Sequence, residues 1–137
     1  VTIEVRVPWS ALDAAQHLNN AVMFSYFEEA RVEAYFRAKG LDPAAARWDP
    51  RDLDIILART SCDYRSPAAM GETLRVSTWP TKVGASSFAL AYRVEERSTG
   101  RLVAEGESVQ VCFDYATQRK KAIPDELRAA LSAGLGA

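Results

Sequence analysis

Asp13 and His17, the only histidine of the chain, stand four residues apart and just ahead of Asn19, Asn20 and an amphipathic segment. An Asn side chain accepts a hydrogen bond from a free backbone N–H of a first helical turn, so Asn19 or Asn20 can cap a helix that begins there. A carboxylate, an imidazole and a helix N-terminus then share one neighbourhood. A carboxylate in that position can activate water as a general base or attack as a nucleophile. The unsatisfied N–H groups near Asn20, backed by the helix dipole, can hold an oxygen that becomes negative during reaction. Taken alone, Asp13 also fits a solvated or capping loop residue, and His17 a structural histidine that hydrogen-bonds the loop. The local residues leave both pairs of readings open.

The elements that must position these groups are legible as patterns of apolar residues. Ile3, Val5 and Val7 alternate with Glu4 and Arg6, which predicts a half-buried strand ended by Pro8. A loop follows from Trp9 to about Leu18. Met23, Phe27, Ala30, Ala34 and Ala38 then form one stripe of a helix, and the three alanines allow a sheet to approach closely. Val32, Tyr35 and Phe36 interrupt the other side, so this helix is expected to be covered on more than one flank. Gly40 is a natural stop. Residues 41–54 read as an irregular loop with one short helical turn.

Four strands come next. Ile56, Ala58, Thr60, Cys62 and Tyr64 are expected on one face of the first, with Arg59, Ser61, Asp63 and Arg65 on the other. Residues 67–71 turn the chain, and Leu74, Val76 and Thr78 alternate in the second strand. A turn over 82–86 leads to Phe88, Leu90, Tyr92 and Val94, the cleanest alternation in the chain. Ser98, Thr99 and Gly100 form another turn before a long strand from Leu102 to about Tyr115. There Val109, Val111 and Phe113 share a face, and Gly106 marks a place where a side chain would be too large. Pro124, Asp125 and Glu126 suit the first turn of a short C-terminal helix. The order of strand, long helix, four antiparallel strands and short helix predicts an α+β fold in a single domain over residues 1–137.

Composition narrows the functional classes. With 17 basic and 18 acidic residues and a net charge of −1, the chain lacks the broad positive field of a nucleic-acid binder. It has no apolar run long enough to span a bilayer, so no membrane association and a cytoplasmic location are expected. Cys62 and Cys112 are expected to be free, buried, small apolar side chains. HExxH, CxxC and DxDxDG spacings are missing, so neither a metal nor another cofactor is expected. Gly84 to Phe88 (GASSF) is not GxSxG, and His17 precedes every candidate serine, against the order of α/β-hydrolases.

Residues Trp9 to Arg31 (WSALDAAQHLNNAVMFSYFEEAR), Tyr64 to Gly71 (YRSPAAMG), Gly84 to Phe88 and Val111 to Pro124 (VCFDYATQRKKAIP) fall in an order that resembles the hot-dog-fold thioesterases of the 4-hydroxybenzoyl-CoA thioesterase-like family. The resemblance implies a five-stranded antiparallel sheet curled around one long central helix, and an acyl-CoA thioester hydrolase. Asp13 matches the family's catalytic aspartate. Asn20 matches the position whose backbone N–H polarises the thioester carbonyl. The same stretch is similar to the WSDLDxNQHxNN segment of plant acyl carrier protein thioesterases, in which Asp13 and His17 have counterparts but Ala15 replaces an asparagine of the site. Ala11 likewise replaces a first acid found in many relatives. A mechanism that needs an amide between Asp13 and His17 cannot operate unchanged here.

Under this resemblance Asp13, His17 and Asn20 are the catalytic candidates, and Arg119, Lys120 and Lys121 the candidates for binding CoA or carrier phosphates. Arg59, Arg65 and Lys82 are possible neighbours of that cluster. Glu29 is a possible second acid, although Glu28, Glu29 and Glu33 are most simply a solvated face. Phe24, Tyr26 and Phe27 read first as core, with one of them able to line an acyl pocket. The expected partners are an acyl-CoA or acyl-carrier-protein substrate and a second copy of the chain, as a homodimer or a homotetramer. The competing reading from another class is a non-catalytic acyl-binding hot-dog module in which the loop is only a cap.

Overall fold

The computed structural model describes residues 1–42, 44, 49 and 52–134. Strand β1 (Thr2–Arg6) and a single 3-10 turn (Trp9–Ala11) precede helix α1 (Asn20–Ala38). Strands β2 (Ile55–Tyr64), β3 (Thr73–Val83), β4 (Ser87–Glu96) and β5 (Leu102–Asp114) follow, then the two-residue β6 (Arg119–Lys120) and helix α2 (Asp125–Ser132). The sheet runs β1-β3-β4-β5-β2, with antiparallel pairing throughout and β6 attached to β5. The five long strands wrap α1 as the resemblance implied, and β6 is an addition to that expectation. Pro43, residues 45–48, Pro50 and Arg51 lie outside the described residues, and with them most of the expected helical turn. Among the described residues no helix is long and apolar enough to cross a membrane.

Helix α1 starts where Asn19 Oδ1 accepts the Ala21 N–H at 2.9 Å, so the cap is Asn19. It ends at Lys39, after which Gly40 takes the left-handed conformation at φ +71°. Met23, Phe27, Ala30 and Ala34 are buried as the stripe predicts, but Tyr26, Arg31, Tyr35 and Phe36 are buried too. Burial around most of the helix follows from a curled sheet on one side and α2, through Leu127 and Leu131, on another.

The facing sheet side carries Leu74, Val76 and Thr78 of β3 and Phe88, Leu90, Tyr92 and Val94 of β4, all buried as expected. Phe27 stacks on Tyr92 with ring centroids 4.4 Å apart. The approach is closest at Gly106. A Cβ there would overlap Phe27 Cε2 and stand 2.5 Å from the Ser61 carbonyl oxygen, well inside van der Waals contact.

In one strand the structure decides which of two faces is buried, and in another it shifts the alternation read in the sequence. In β5 the buried side is Ala104, Ser108, Gln110 and Cys112, while Val109, Val111 and Phe113 point to the outer face and stay partly exposed. A chain of contacts links the inner polar groups of β4, β5 and α1: Arg31 Nη1 donates to Tyr92 Oη at 3.1 Å, Tyr92 Oη pairs with Ser108 Oγ at 2.6 Å, and Gln110 Nε2 donates to Ser108 Oγ, while Gln110 Oε1 and Thr78 Oγ1 are buried with no partner among the described residues. A buried polar row is tolerated when its members bond to one another. In β2 the register shifts between Leu57 and Arg59. Ile55 and Leu57 therefore share the face of Thr60, Cys62 and Tyr64, and Ile56 moves to the outer face opposite Val111, because a bulge inverts the alternation on one side of it. Cys112 is buried and Cys62 half-buried, and both are free thiols.

Asp54 ties the far end of α1 to the strand ends. It accepts hydrogen bonds from Tyr35 Oη, from Lys39 Nζ at 3.0 Å and from Lys121 Nζ. Burial works to raise its pKa, but the bonds from Lys121, Tyr35 and Lys39 outweigh that and hold its carboxyl at about 2.

Gly106→Ala is expected to destabilise the protein by roughly 1–3 kcal/mol or more, the cost of overpacking a filled interior, as read from urea unfolding midpoints. The folded pKa of Asp54, about 2, lies below its ordinary value of 3.8, so its contribution to stability is complete above about pH 4 and is lost as pH falls towards 2. Thermal melts should show that loss in the wild type, and Asp54→Asn should lower Tm at neutral pH and flatten the acid limb.

Candidate active site

The loop between β1 and α1 is folded on Asp13. Its Oδ1 accepts the Ala15 N–H at 2.9 Å and the His17 N–H at 3.3 Å, and its own N–H donates to the His17 carbonyl at 2.9 Å. An Asp side chain that bonds the backbone two residues on is a turn-forming device. Gln16 closes the turn at φ +62°, a left-handed conformation unusual for a residue with a side chain. Leu12 and Leu18 then bridge across the base of the loop. The Leu18 N–H donates to the Ala68 carbonyl at 2.8 Å and the Asn19 N–H to the Ala11 carbonyl at 2.8 Å. These bonds fix where the chain enters α1. Oδ1 is thus structural, and Oδ2 has no hydrogen bond among the described residues.

Asn20 is the first residue of α1, and among the described residues its backbone N–H has no acceptor. The helix dipole makes such a group a place for negative charge. Asp13, His17 and Asn20 all line one cleft of about 400 Å³, closed by Leu18, Asn19 and Met23 on one side and by residues 64–68 and Val103 on the other. The structure therefore brings the three catalytic candidates together. Glu29 is exposed and does not line this cleft.

The cleft also holds Tyr64 and Ser66, to which the sequence assigned no role, and Arg65, which the sequence reading placed with the basic cluster instead. Tyr64 Oη donates to the Asn20 carbonyl at 2.5 Å, tying the end of β2 to the start of α1. Burial pushes the Tyr64 phenol up, with Cys62 adding to the effect, so it remains a donor at neutral pH. Arg65 lines the cleft and pairs with Glu105 at 3.4 Å. Ser66 Oγ donates to the Leu102 carbonyl at 2.7 Å and accepts from Arg101 Nε at 3.2 Å. The YRSP run signalled this segment, but no spacing in the sequence tells that it faces Asp13.

The basic candidates lie elsewhere. Arg119 and Lys120 form β6 beside Asp114 and Phe113, and Lys121 is committed to Asp54. From Val103 at the cleft to Phe113 is ten residues of strand, roughly 30 Å at about 3.3 Å per residue. Within one chain this cluster and the cleft sit at opposite ends of β5. No group of three or more His, Cys, Asp or Glu side chains suited to hold a metal occurs among the described residues.

Comparison with known proteins accords with this geometry. A sequence profile of the thioesterase-like superfamily matches residues 7–131. The long-chain acyl-CoA thioesterase FadM of Escherichia coli is 26% identical over 125 residues, covering 91% of this chain and 92% of that protein. The chloroplastic palmitoyl-acyl carrier protein thioesterase of Cuphea hookeriana is 30% identical over 78 residues, which cover 57% of this chain and 19% of that protein. Among solved structures, a thioesterase from Thermus thermophilus complexed with coenzyme A and zinc superposes with a TM-score of 0.79 at 27% identity, covering 95% of each chain.

Proposed function

The chain belongs to the thioesterase-like superfamily, and on that premise we propose that it hydrolyses acyl-CoA thioesters, releasing a carboxylic acid and CoA, at the cleft shared by Asp13 and Asn20. The observation that carries this reading is that a carboxylate with one oxygen and a helix N-terminal N–H, both without a partner among the described residues, line the same cleft. A thioester needs little help with its leaving group, since a thiol has a pKa of about 8.5. The enzyme has only to make a nucleophile and to hold the oxyanion. The Asn20 N–H receives the carbonyl oxygen as it becomes negative. Asp13 Oδ2 either takes a proton from the attacking water or attacks the carbonyl itself, giving a mixed anhydride that water then opens. His17 lines the cleft and, by donating its backbone N–H to Asp13 Oδ1, orients the carboxylate. Tyr64 orients the first turn of α1. The local likeness to a carrier-protein thioesterase supports a second substrate class, an acyl group on a phosphopantetheine carrier.

The site is completed, in this reading, by a second copy. Strand β2 is a ten-residue edge that among the described strands pairs only with β5, and Ile56 and Leu57 on it are each 42% exposed. Such an edge is a template for another strand. Antiparallel pairing of two β2 edges about a two-fold axis sets the Tyr64 end of one copy against the Ile55 end of the other. The partner's Arg119 and the partner's Lys120 then lie about three strand spacings, roughly 15 Å, from the cleft. An extended CoA bridges that gap, which gives the basic cluster its role as a phosphate site. The outer sheet face, with Ile56, Val109 and Val111 half-covered or exposed, suits a further pairing of dimers.

Thiol release from aromatic, short-chain and long-chain acyl-CoA esters should be measured for wild type and Asp13→Asn. Turnover that falls by about 10²-fold or more in a folded Asp13→Asn protein is expected, a loss of the size general base catalysis supplies. Turnover unchanged in that variant would sink the role of Asp13, and acyl-carrier substrates preferred over every CoA ester would establish the second class. Light scattering at micromolar concentration should give a dimer or tetramer. In the assembly Arg119→Glu with Lys120→Glu should raise KM for CoA esters while leaving kcat close to wild type, and a monomer would overturn the shared site.

A further inference from the structure

Beyond the reacting end of the cleft, α1 and β2 enclose a second, smaller cavity of about 140 Å³ lined by Phe24, Ser25, Glu28, Arg31, Leu57 and Thr60. It lies next to the first along the same two elements, with a separate set of lining residues. Asn20 and Met23 on the helix and Tyr64 on the strand belong to the reacting end, and Phe24 to Arg31 and Leu57 to Thr60 come next along the two elements. From Asn20 to Arg31 is eleven residues, about 16 Å at 1.5 Å per residue. Helical side chains lean towards the N-terminus, so an Arg31 guanidinium reaches back to roughly 10 Å from the level of the Asn20 N–H.

Arg31 is the unusual member of that lining. It is only 7% exposed, yet of its five N–H donors one alone makes a hydrogen bond among the described residues, from Nη1 to the neutral Tyr92 hydroxyl at 3.1 Å. Its nearest carboxylate is Glu28 Oε2, 3.7 Å from Nη2, on a side chain 68% exposed to solvent. A buried cation with so loose a counter-ion is costly to keep, whereas a second carboxylate in the cavity would give the guanidinium a two-pronged partner. Tyr92, itself paired with Ser108, holds the guanidinium through Nη1 alone.

We propose that Arg31 is a specificity-determining residue that receives a carboxylate at the far end of the acyl group, so that the preferred substrates are CoA monothioesters of medium-length dicarboxylic acids. The proposal rests on the thioesterase reading above. Glu28 swings to solvent when the ligand carboxylate takes its place, as its exposure permits. Ser25 and Thr60 supply hydroxyl donors to the same oxygens. A long unsubstituted chain, by contrast, would have to run its methylenes past a buried charge, which is unfavourable.

Three esters that differ only at the far end test this: suberoyl-CoA, 8-hydroxyoctanoyl-CoA and octanoyl-CoA. Wild type should favour suberoyl-CoA over octanoyl-CoA in kcat/KM by roughly tenfold or more, the usual scale of a charge-assisted hydrogen bond. Arg31→Met should bring that ratio towards one, and Arg31→Lys should restore part of it. Equal kcat/KM for the suberoyl and octanoyl esters, or a higher value for the hydroxyl ester than for suberoyl, would overturn the role of Arg31 while leaving the hydrolase reading intact. No thiol release from any ester, including the aromatic and long-chain panel, would overturn both. If Arg31→Met fails to fold, the wild-type ratio and the Arg31→Lys variant still decide the matter.

Discussion

The close contact between Phe27 and Gly106 is the constraint on which the site depends. With no Cβ at 106, the Phe27 ring lies against the β5 backbone and stacks on Tyr92, which seats α1 deep in the curl of the sheet. Depth of seating decides more than core packing. It sets the height of the first turn of α1 relative to the end of β2, and so lets Tyr64 donate to the Asn20 carbonyl. It also brings Arg31 within hydrogen-bond reach of Tyr92, a bond that a more distant helix would lose. Interiors packed at crystal-like density pass such a displacement on rather than absorbing it.

The opposite end of α1 is held by charge instead of packing. Asp54 gathers Tyr35, Lys39 and Lys121, joining the helix, the start of β2 and the segment after β6. The two ends of the helix therefore have different duties. One is pinned by a satisfied ion cluster. The other leaves an N–H and a carboxylate oxygen beside a cleft without a partner among the described residues, open to water or to a ligand.

Where alternation is uninterrupted, the strand faces were readable residue by residue. Phe88, Leu90, Tyr92 and Val94 are all buried, because β4 is a central strand whose register with β5 is unbroken from Ser87 to Val94, and the shift against β3 puts its extra residue on β3. The same reading fails in β2, where one extra residue at the bulge moves Ile56 to the outside, and a bulge leaves no mark in a pattern of apolar types. In β5 the shared face of Val109, Val111 and Phe113 was readable, but which side is buried was not. Val109, Val111 and Phe113 are the more apolar face, yet Ser108 and Gln110 are inside, where Ser108 pairs with Tyr92 of β4, itself bonded by Arg31 of α1, and Gln110 Nε2 donates to Ser108. Polarity in one strand cannot report partners in another.

The amino-acid sequence by itself determined the order of elements, the capped start of α1, the need for glycine at 106 and the gathering of Asp13, His17 and Asn20, because each rests on neighbours within a few residues or on the absence of a side chain. That Asn19 rather than Asn20 is the cap, that Tyr64, Arg65 and Ser66 face the same cleft, and that the Arg119 to Lys121 cluster sits at the far end of β5 were decided only by the tertiary structure. The choice of cap turns on a single backbone geometry that two adjacent asparagines serve equally well in sequence, and the other two relations join residues far apart in the chain, as Tyr64 and Asn20 are at 44 positions. Such relations arise when strands pair and a helix docks, and no local spacing encodes them.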